Sequence, residues 1–260
     1  MFNIQWVFWS MDKCLNCGTE PIGNYCHNCG QQKITPGISV KNSFDEYFYK
    51  TIYWESSFSY TVRELFLAPG NFVRNFINGK RKDYVKPVGF FLMTVSFFIL
   101  MFHFFSEGYF SYMQETFLGK NTQEMIDNKV STSEFRQLLL SRMNYLMFLL
   151  PPILALVHTL VFRNKDAGFG ERLAFYFYIL GFGALVTVIF IPLSLLTPVM
   201  WNLRLLPLIG YYMFAIIQFS KANIISGIFK SLIVLVVGNA LYLGLVILLL
   251  WGYLELSHWF

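Results

Sequence analysis

The chain has 260 residues, of which 55% are hydrophobic, 19% aromatic and only 13% charged. Soluble globular domains carry about 25% charged residues, so the composition excludes an ordinary soluble protein. The net charge of +5 does not indicate a nucleic-acid-binding protein, because Lys and Arg gather at the edges of apolar runs instead of forming one basic face. No nucleic-acid partner is expected.

The first ten residues, MFNIQWVFWS, are apolar but lack the basic start and the small-residue cleavage site of a signal peptide. A more natural start, MDKCLNCG, begins at Met11. Residues 1–10 are therefore interpreted as an N-terminal extension.

A predicted zinc ribbon occupies residues 11–35, which hold every cysteine of the chain: Cys14, Cys17, Cys26 and Cys29. Four thiolates in two C-x-x-C pairs suit a closed tetrahedral zinc site. Each pair ends in glycine, which accepts the positive φ of a tight turn. Only eight residues separate the pairs, so the ribbon has no core of its own and the metal must supply most of its folding energy.

Two other interpretations of the cysteines stay open. Two disulfides would require an oxidising compartment, and a rubredoxin-like iron site would use the same ligands. The cytosolic placement argued below favours zinc. His27, inside the second pair, is expected to be exposed because four cysteines already fill the site.

Residues 36–85 are predicted to form amphipathic helices beside the membrane. The capping boxes Ser43-Phe-Asp-Glu46 and Thr61-Val-Arg-Glu64 predict two helix starts, and Ala68-Pro69-Gly70 predicts the end of the second helix. A third segment places Phe72, Val73, Phe76 and Ile77 on one face. Aromatic-rich amphipathic helices next to a span usually lie in the headgroup plane.

A basic group follows these helices and marks the predicted cytosolic edge of the first span. Its members, candidates for binding anionic lipid headgroups or another phosphate, are Arg74, Lys80, Arg81, Lys82 and Lys86. Basic residues also flank cytosolic helix ends for reasons of topology alone. Topology is the interpretation that the sequence favours.

Residues 86–260 predict an all-α transmembrane domain, a five-helix bundle. Its apolar runs lie near 87–106, 143–163, 173–197, 205–220 and 229–252. The short loops assigned to the inner side hold most of the Lys and Arg, which predicts a cytosolic N-terminus and a C-terminus outside the cell.

Three polar side chains lie within the apolar runs: His103, His158 and Asn239. The histidines fall on opposite leaflets and are expected to be interfacial or helix-packing residues. Asn239 is expected either to bond to another helix or to line a solute path. Gly181 and Gly183 would allow close helix approach near it.

The chain resembles a family of small bacterial integral membrane proteins known only as a domain of unknown function. The resemblance rests on Cys29-Gly30-Gln31, on LFLAPGNFVRNFINGKRKDYVKP from Leu65 to Pro87 and on the phenylalanine-rich first span, and it covers roughly residues 11–110. It implies a zinc-ribbon head and the bacterial inner membrane, but no activity. Its most distinctive positions are Pro69, Gly70, Arg74, Gly79, Lys80, Arg81, Tyr84, Lys86 and Pro87.

The favoured function is that of a non-enzymatic inner-membrane protein whose cytosolic zinc ribbon is a docking or regulatory module for a protein partner. A transporter or lipid-handling protein is the first alternative, although no acidic residue for proton coupling lies in mid-membrane. A membrane enzyme of unrecognised type is the second. Common catalytic motifs are missing, and such an enzyme would use residues that no motif brings together, with Glu107 and Glu115 in the predicted outer loop as candidates.

Overall fold

The computed structural model describes residues 13–20, 26–31, 55–113, 132–163, 167–194 and 202–257. These residues form seven helices and no strand. In chain order the helices are α1 (Glu55–Leu67), α2 (Pro69–Ile77), α3 (Pro87–Met113), α4 (Thr132–Val161), α5 (Phe169–Ser194), α6 (Leu205–Ser220) and α7 (Ile224–Ser257).

Three helices are long and apolar enough to cross a membrane: Pro87–Phe105 of α3, Phe169–Leu193 of α5 and Ile224–Leu249 of α7. Two shorter apolar stretches lie in α4 and α6, at Tyr145–Val161 and Leu205–Ser220. The five predicted runs therefore overlap five separate helices. At 1.5 Å per residue α6 is only about 24 Å long, against a hydrocarbon core of about 30 Å.

Helices α3 and α5 pair side by side in the same direction. The rings of Phe90 and Tyr178 lie 5.8 Å apart, and one turn further along both helices Thr94 lies against Gly181. A Cβ at Gly181 would lie 2.8 Å from the Thr94 hydroxyl oxygen. Glycine at this position therefore sets the close approach of the two helices.

Helix α6 runs opposite to α5. Phe219 stacks on Phe175 with ring centroids 4.3 Å apart, while Tyr211, earlier in α6, meets Phe182, later in α5, at 4.8 Å. The aromatic residues therefore pair in reverse order along the two helices.

Helix α4 runs opposite to both α5 and α7. Its final turn contacts the beginning of α5, where Arg172 donates to the Phe162 carbonyl at 3.1 Å. Lys230 in the second turn of α7 lies over the Phe162 ring, and Gly238, two turns later, lies against Leu154. The five apolar helices thus alternate in direction.

One end of this bundle, called the head end below, is formed where α3, α5 and α7 begin and where α4 and α6 end. The larger core cluster lies there, and helices α1 and α2 contribute five of its buried side chains: Leu65, Phe72, Val73, Phe76 and Ile77. Basic residues at or beside the head end are Lys80, Arg81, Lys82, Lys86, Arg163, Arg172, Lys221 and Lys230. The described basic residues toward the opposite end are fewer: Arg136, Arg142 and Arg204.

The predicted helix start at Thr61 is wrong, because α1 already extends from Glu55 through Thr61. The Thr61 hydroxyl donates to the Ser57 carbonyl one turn back and accepts from the Val85 amide. A threonine inside a helix can satisfy its hydroxyl in this way and needs no cap position. The predicted boundary at residues 68–70 is confirmed, while the Ser43–Glu46 box lies outside the described residues.

The apolar face of α2 packs on the bundle. Phe72, Val73, Phe76 and Ile77 are buried, and Phe72 meets Tyr178 of α5 edge-on at 5.0 Å. Burial of each such side chain contributes about 1.5–3 kcal/mol. Helix α2 is therefore part of the folded core at the head end.

Candidate metal centre and its attachment to the helices

The four cysteines predicted to bind metal lie together, and their Sγ atoms are all within 4.8 Å of one another. The shortest Sγ–Sγ distances are 3.6 Å for Cys14–Cys29 and 3.5 Å for Cys17–Cys26. A tetrahedral site with metal–sulfur bonds near 2.3 Å requires sulfur atoms about 3.8 Å apart. The arrangement can therefore hold one metal ion.

Two copies of one backbone turn position the cysteines. In the first, the Cys14 carbonyl accepts from the Gly18 amide at 2.8 Å; in the second, the Cys26 carbonyl accepts from the Gly30 amide at 2.7 Å. Gly18 and Gly30 have φ of +76° and +69°, which confirms the expected need for glycine. His27 is exposed, as predicted, and is not a member of the metal-binding group.

The thiols differ in acidity. The Thr19 hydroxyl lies 3.5 Å from the Cys17 sulfur and lowers the pKa of Cys17 to about 6, and the Thr19 backbone acts in the same direction. Burial raises the pKa of Cys29 to about 11. Metal ligation requires thiolates, so a bound ion must displace the Cys29 proton.

Gln31 attaches the cysteine turns to the head end. Its backbone carbonyl accepts from the Cys26 amide at 2.8 Å, and its buried side chain donates to the Gly79 carbonyl at 2.7 Å. The side-chain oxygen of Gln31, Oε1, accepts from the Arg81 backbone amide at 3.4 Å. Gln31 therefore hydrogen-bonds the second cysteine turn to the α2–α3 loop.

Leu15 of the first turn packs on the α2–α3 loop at Gly79. Gly79 has φ of +109°, and a Cβ there would lie 3.2 Å from Leu15 Cγ and closer still to other atoms of the same side chain. Glycine is required both for the backbone conformation and for this contact. Gln31 and Gly79 belong to the motifs that carry the family resemblance, and nothing in their spacing along the sequence indicates that they meet.

Arg74 and Arg81, predicted to contact headgroups, bind backbone carbonyls at helix ends. Arg81 donates to the Phe76 carbonyl at 3.0 Å and to the Ile77 carbonyl at 3.3 Å, at the end of α2. Arg74 donates to the Phe219 carbonyl at the end of α6. These carbonyls lack intrahelical partners and carry the negative end of the helix dipole.

The other basic residues of the predicted group lie apart from these contacts. Lys80 and Lys82 are exposed, and Lys86 is half-buried beside the start of α3. The Cε and Nζ atoms of Lys82 lie near Gly30 of the second cysteine turn.

Gln218 joins α6 to the start of α2. Its side-chain oxygen accepts from the Gly70 amide at 2.8 Å and from the Asn71 amide at 3.2 Å. These amides belong to the first turn of α2, whose donors have no partner within the helix. Gln218 therefore caps α2 from a position almost 150 residues away in sequence.

His158 is buried at the head end and links three helices. Its Nδ1 lies 3.0 Å from the Tyr176 hydroxyl on α5, and its Nε2 lies 2.9 Å from the Ser220 hydroxyl at the end of α6. Phe162, Phe175 and Phe219 enclose the imidazole ring. The geometry is that of a packing residue with both nitrogens engaged.

Asn239 lies on the exposed side of α7, which corrects the expectation of a buried amide. Its side-chain nitrogen donates to the Leu235 carbonyl of its own helix at 2.8 Å. Gly181 and Gly183 do allow close packing, but against Thr94 of α3 and Tyr212 of α6 and not beside Asn239. His103 is exposed on α3.

Comparison with known proteins gives one match. No curated protein sequence and no solved structure matches the chain. The matched segment, residues 55–99, covers α1, α2, the α2–α3 loop and the first half of α3. It matches the family described as "Protein of unknown function (DUF3667)", which confirms the resemblance inferred from the string Leu65–Pro87.

Proposed function

We propose that the four cysteines bind one structural zinc ion and that the resulting ribbon is a docking or regulatory module of a non-enzymatic integral membrane protein. The sulfur-only donor set, with all four Sγ atoms within 4.8 Å of one another, suits zinc. The observation that carries the proposal is the Gln31–Gly79 hydrogen bond, which holds the ribbon at a defined place on the head end. The exposed tips of both turns, at Cys17–Gly18 and His27–Asn28, are free to meet a partner.

We further propose that the chain crosses the bacterial inner membrane five times, with its N-terminus in the cytosol and its C-terminus outside. Support comes from the alternating directions of α3 to α7 and from the basic residues gathered at the head end. A cytosolic head end also places the thiols in a reducing compartment, which suits zinc ligation.

Reporter fusions test this topology. A fluorescent protein that matures only in the cytosol is expected to be bright at the N-terminus and dark at the C-terminus, and a periplasm-dependent phosphatase should show the reverse, because five crossings put the termini on opposite sides. The same reporters fused after Lys221 give a matched internal control, expected to report the cytosol. Fluorescence at both termini would show an even number of crossings and contradict the proposal.

Site-specific photo-crosslinking in cells tests the docking role. A photoreactive amino acid in place of His27, on an exposed tip, is expected to give a discrete adduct with another protein. The adduct should disappear in the Cys14→Ser/Cys17→Ser variant, because that variant cannot form the ribbon. The matched control carries the photoreactive residue at Leu203, which is exposed beyond the opposite end of the bundle. No adduct specific to position 27 would contradict docking.

The alternative functions receive less support from the described residues. The transport hypothesis used Asn239 as part of a path through the bundle, and that residue lies on the outer side of α7. The Ser220–His158 contact has the chemistry of an activated nucleophile, but both residues are enclosed, with 5% and 1% exposure. Lys80 and Lys82 remain exposed beside the ribbon, and we propose that they meet anionic lipid headgroups.

A further inference from the structure

We propose that the metal-loaded ribbon is a latch that keeps α2 packed on α6. Metal binding by the four cysteines therefore controls the packing of the head end. This inference rests on the proposed zinc site and adds a specific target, helix α2. It is carried by three successive sets of contacts, of which the first and the third join segments distant in sequence.

The first contact joins the ribbon to the α2–α3 loop. The Gln31 side chain is 6% exposed and bridges the Gly79 carbonyl and the Arg81 amide. Its backbone lies within the second cysteine turn. A ribbon with no core of its own unfolds without metal, and Gln31 then has nothing to hold it in place.

The second contact joins that loop to the end of α2. The Arg81 side chain binds the Phe76 and Ile77 carbonyls, and its guanidinium lies over the Phe76 ring, 5.5 Å from the centroid. The backbone of Arg81 is held by Gln31 while its side chain caps the helix. Release of Gln31 therefore frees the backbone of a residue whose side chain helps to cap the end of α2.

The third contact joins α2 to α6. Gln218 accepts from the Gly70 and Asn71 amides, and Arg74 donates to the Phe219 carbonyl. The next residue, Ser220, bonds to His158 of α4. A change in the position of α2 therefore affects the ends of two apolar helices, α6 and α4, through a few hydrogen bonds.

Hydrogen–deuterium exchange of the full chain in lipid nanodiscs tests the latch. Three samples are compared: the zinc-loaded protein, the same protein after chelation, and zinc-loaded Gln31→Ala. Residues 72–79 are expected to exchange roughly tenfold faster in the second and third samples, as the loss of one buried hydrogen bond implies. Residues 90–98 of α3 should be unchanged and serve as the internal reference.

A matched variant controls for general damage to the ribbon. Asn28→Ala removes another side-chain amide from the same turn, and that amide donates only to Thr19 within the ribbon among the described contacts. In this variant, residues 72–79 should exchange at the wild-type rate. Equal exchange in all samples, with zinc retained by the unchelated wild type and by Gln31→Ala, would overturn the latch and leave the zinc site standing. Faster exchange in Gln31→Ala but not after chelation would overturn metal control. Failure of the wild-type chain to retain zinc would instead refute the proposed function itself.

Discussion

Replacing Gly70 with alanine is expected to destabilise the protein by about 3 kcal/mol, at the upper end of what overpacking a core costs. The added Cβ would lie 2.7 Å from the Gln218 carbonyl carbon and 2.9 Å from the Ala215 carbonyl oxygen, and closer still to the Phe219 amide nitrogen. All three are backbone atoms of α6, so no side-chain rotation relieves the clash. Helix α2 must move away, and the caps from Gln218 and Arg74 are lost with it.

The midpoint of thermal unfolding in detergent measures this effect. Gly210→Ala is the matched control, because Gly210 lies in α6 itself and a Cβ there meets no atom within 4 Å. That substitution should leave stability unchanged or raise it by about 0.4–1 kcal/mol, as expected for alanine in a helix. A Gly70→Ala protein that melts at or above the wild-type midpoint would show that α2 does not pack on α6 as described.

The Cys14→Ser/Cys17→Ser variant is expected to lose its zinc and the fold of the ribbon. The metal supplies most of the ribbon's folding free energy, which for structural zinc in small peptides amounts to about 10–16 kcal/mol. Removing two of four thiolates should therefore lower zinc content from one ion per chain to about none. Limited proteolysis should then cut within residues 13–31, while α3 to α7 remain folded because the contacts among these helices persist without the ribbon.

Native mass spectrometry of the gently solubilised protein measures the zinc content directly. Asn28→Ser is the matched control, since it places the same residue type on the exposed tip of the second turn and keeps all four thiols. It should retain one zinc. Retention of one zinc by the double cysteine variant would contradict the assignment of these residues as ligands.

The apolar helices were predictable from sequence because crossing a membrane is a property of local composition. The run predicted at 205–220 coincides with α6 (Leu205–Ser220), and each of the other four overlaps one helix. The cysteine turns were equally predictable from the sequence, since two C-x-x-C-G repeats specify both the metal ligands and the glycines of the turns. The apolar residues of α2 were also predicted to share one face, but the sequence did not show that the helical bundle covers that face.

What could not be predicted depends on contacts between distant segments. From the sequence, Arg74 is expected on the surface. Only the fold shows that the end of α6 lies beside it and that Arg74 donates to the Phe219 carbonyl. Asn239 was assigned to the interior because an apolar helix with little amphipathicity does not reveal which side faces its neighbours. Thr61 matched a capping box, but a threonine in mid-helix can bond the preceding turn equally well.

The most direct test of the zinc ribbon is X-ray absorption at the zinc edge on the wild-type protein, purified from cells without added metal. The account predicts zinc in a ratio of one per chain, with a single shell of four sulfur atoms at about 2.3 Å. Zinc bound through nitrogen or oxygen, iron in place of zinc, or a metal-free protein with paired disulfides would contradict it.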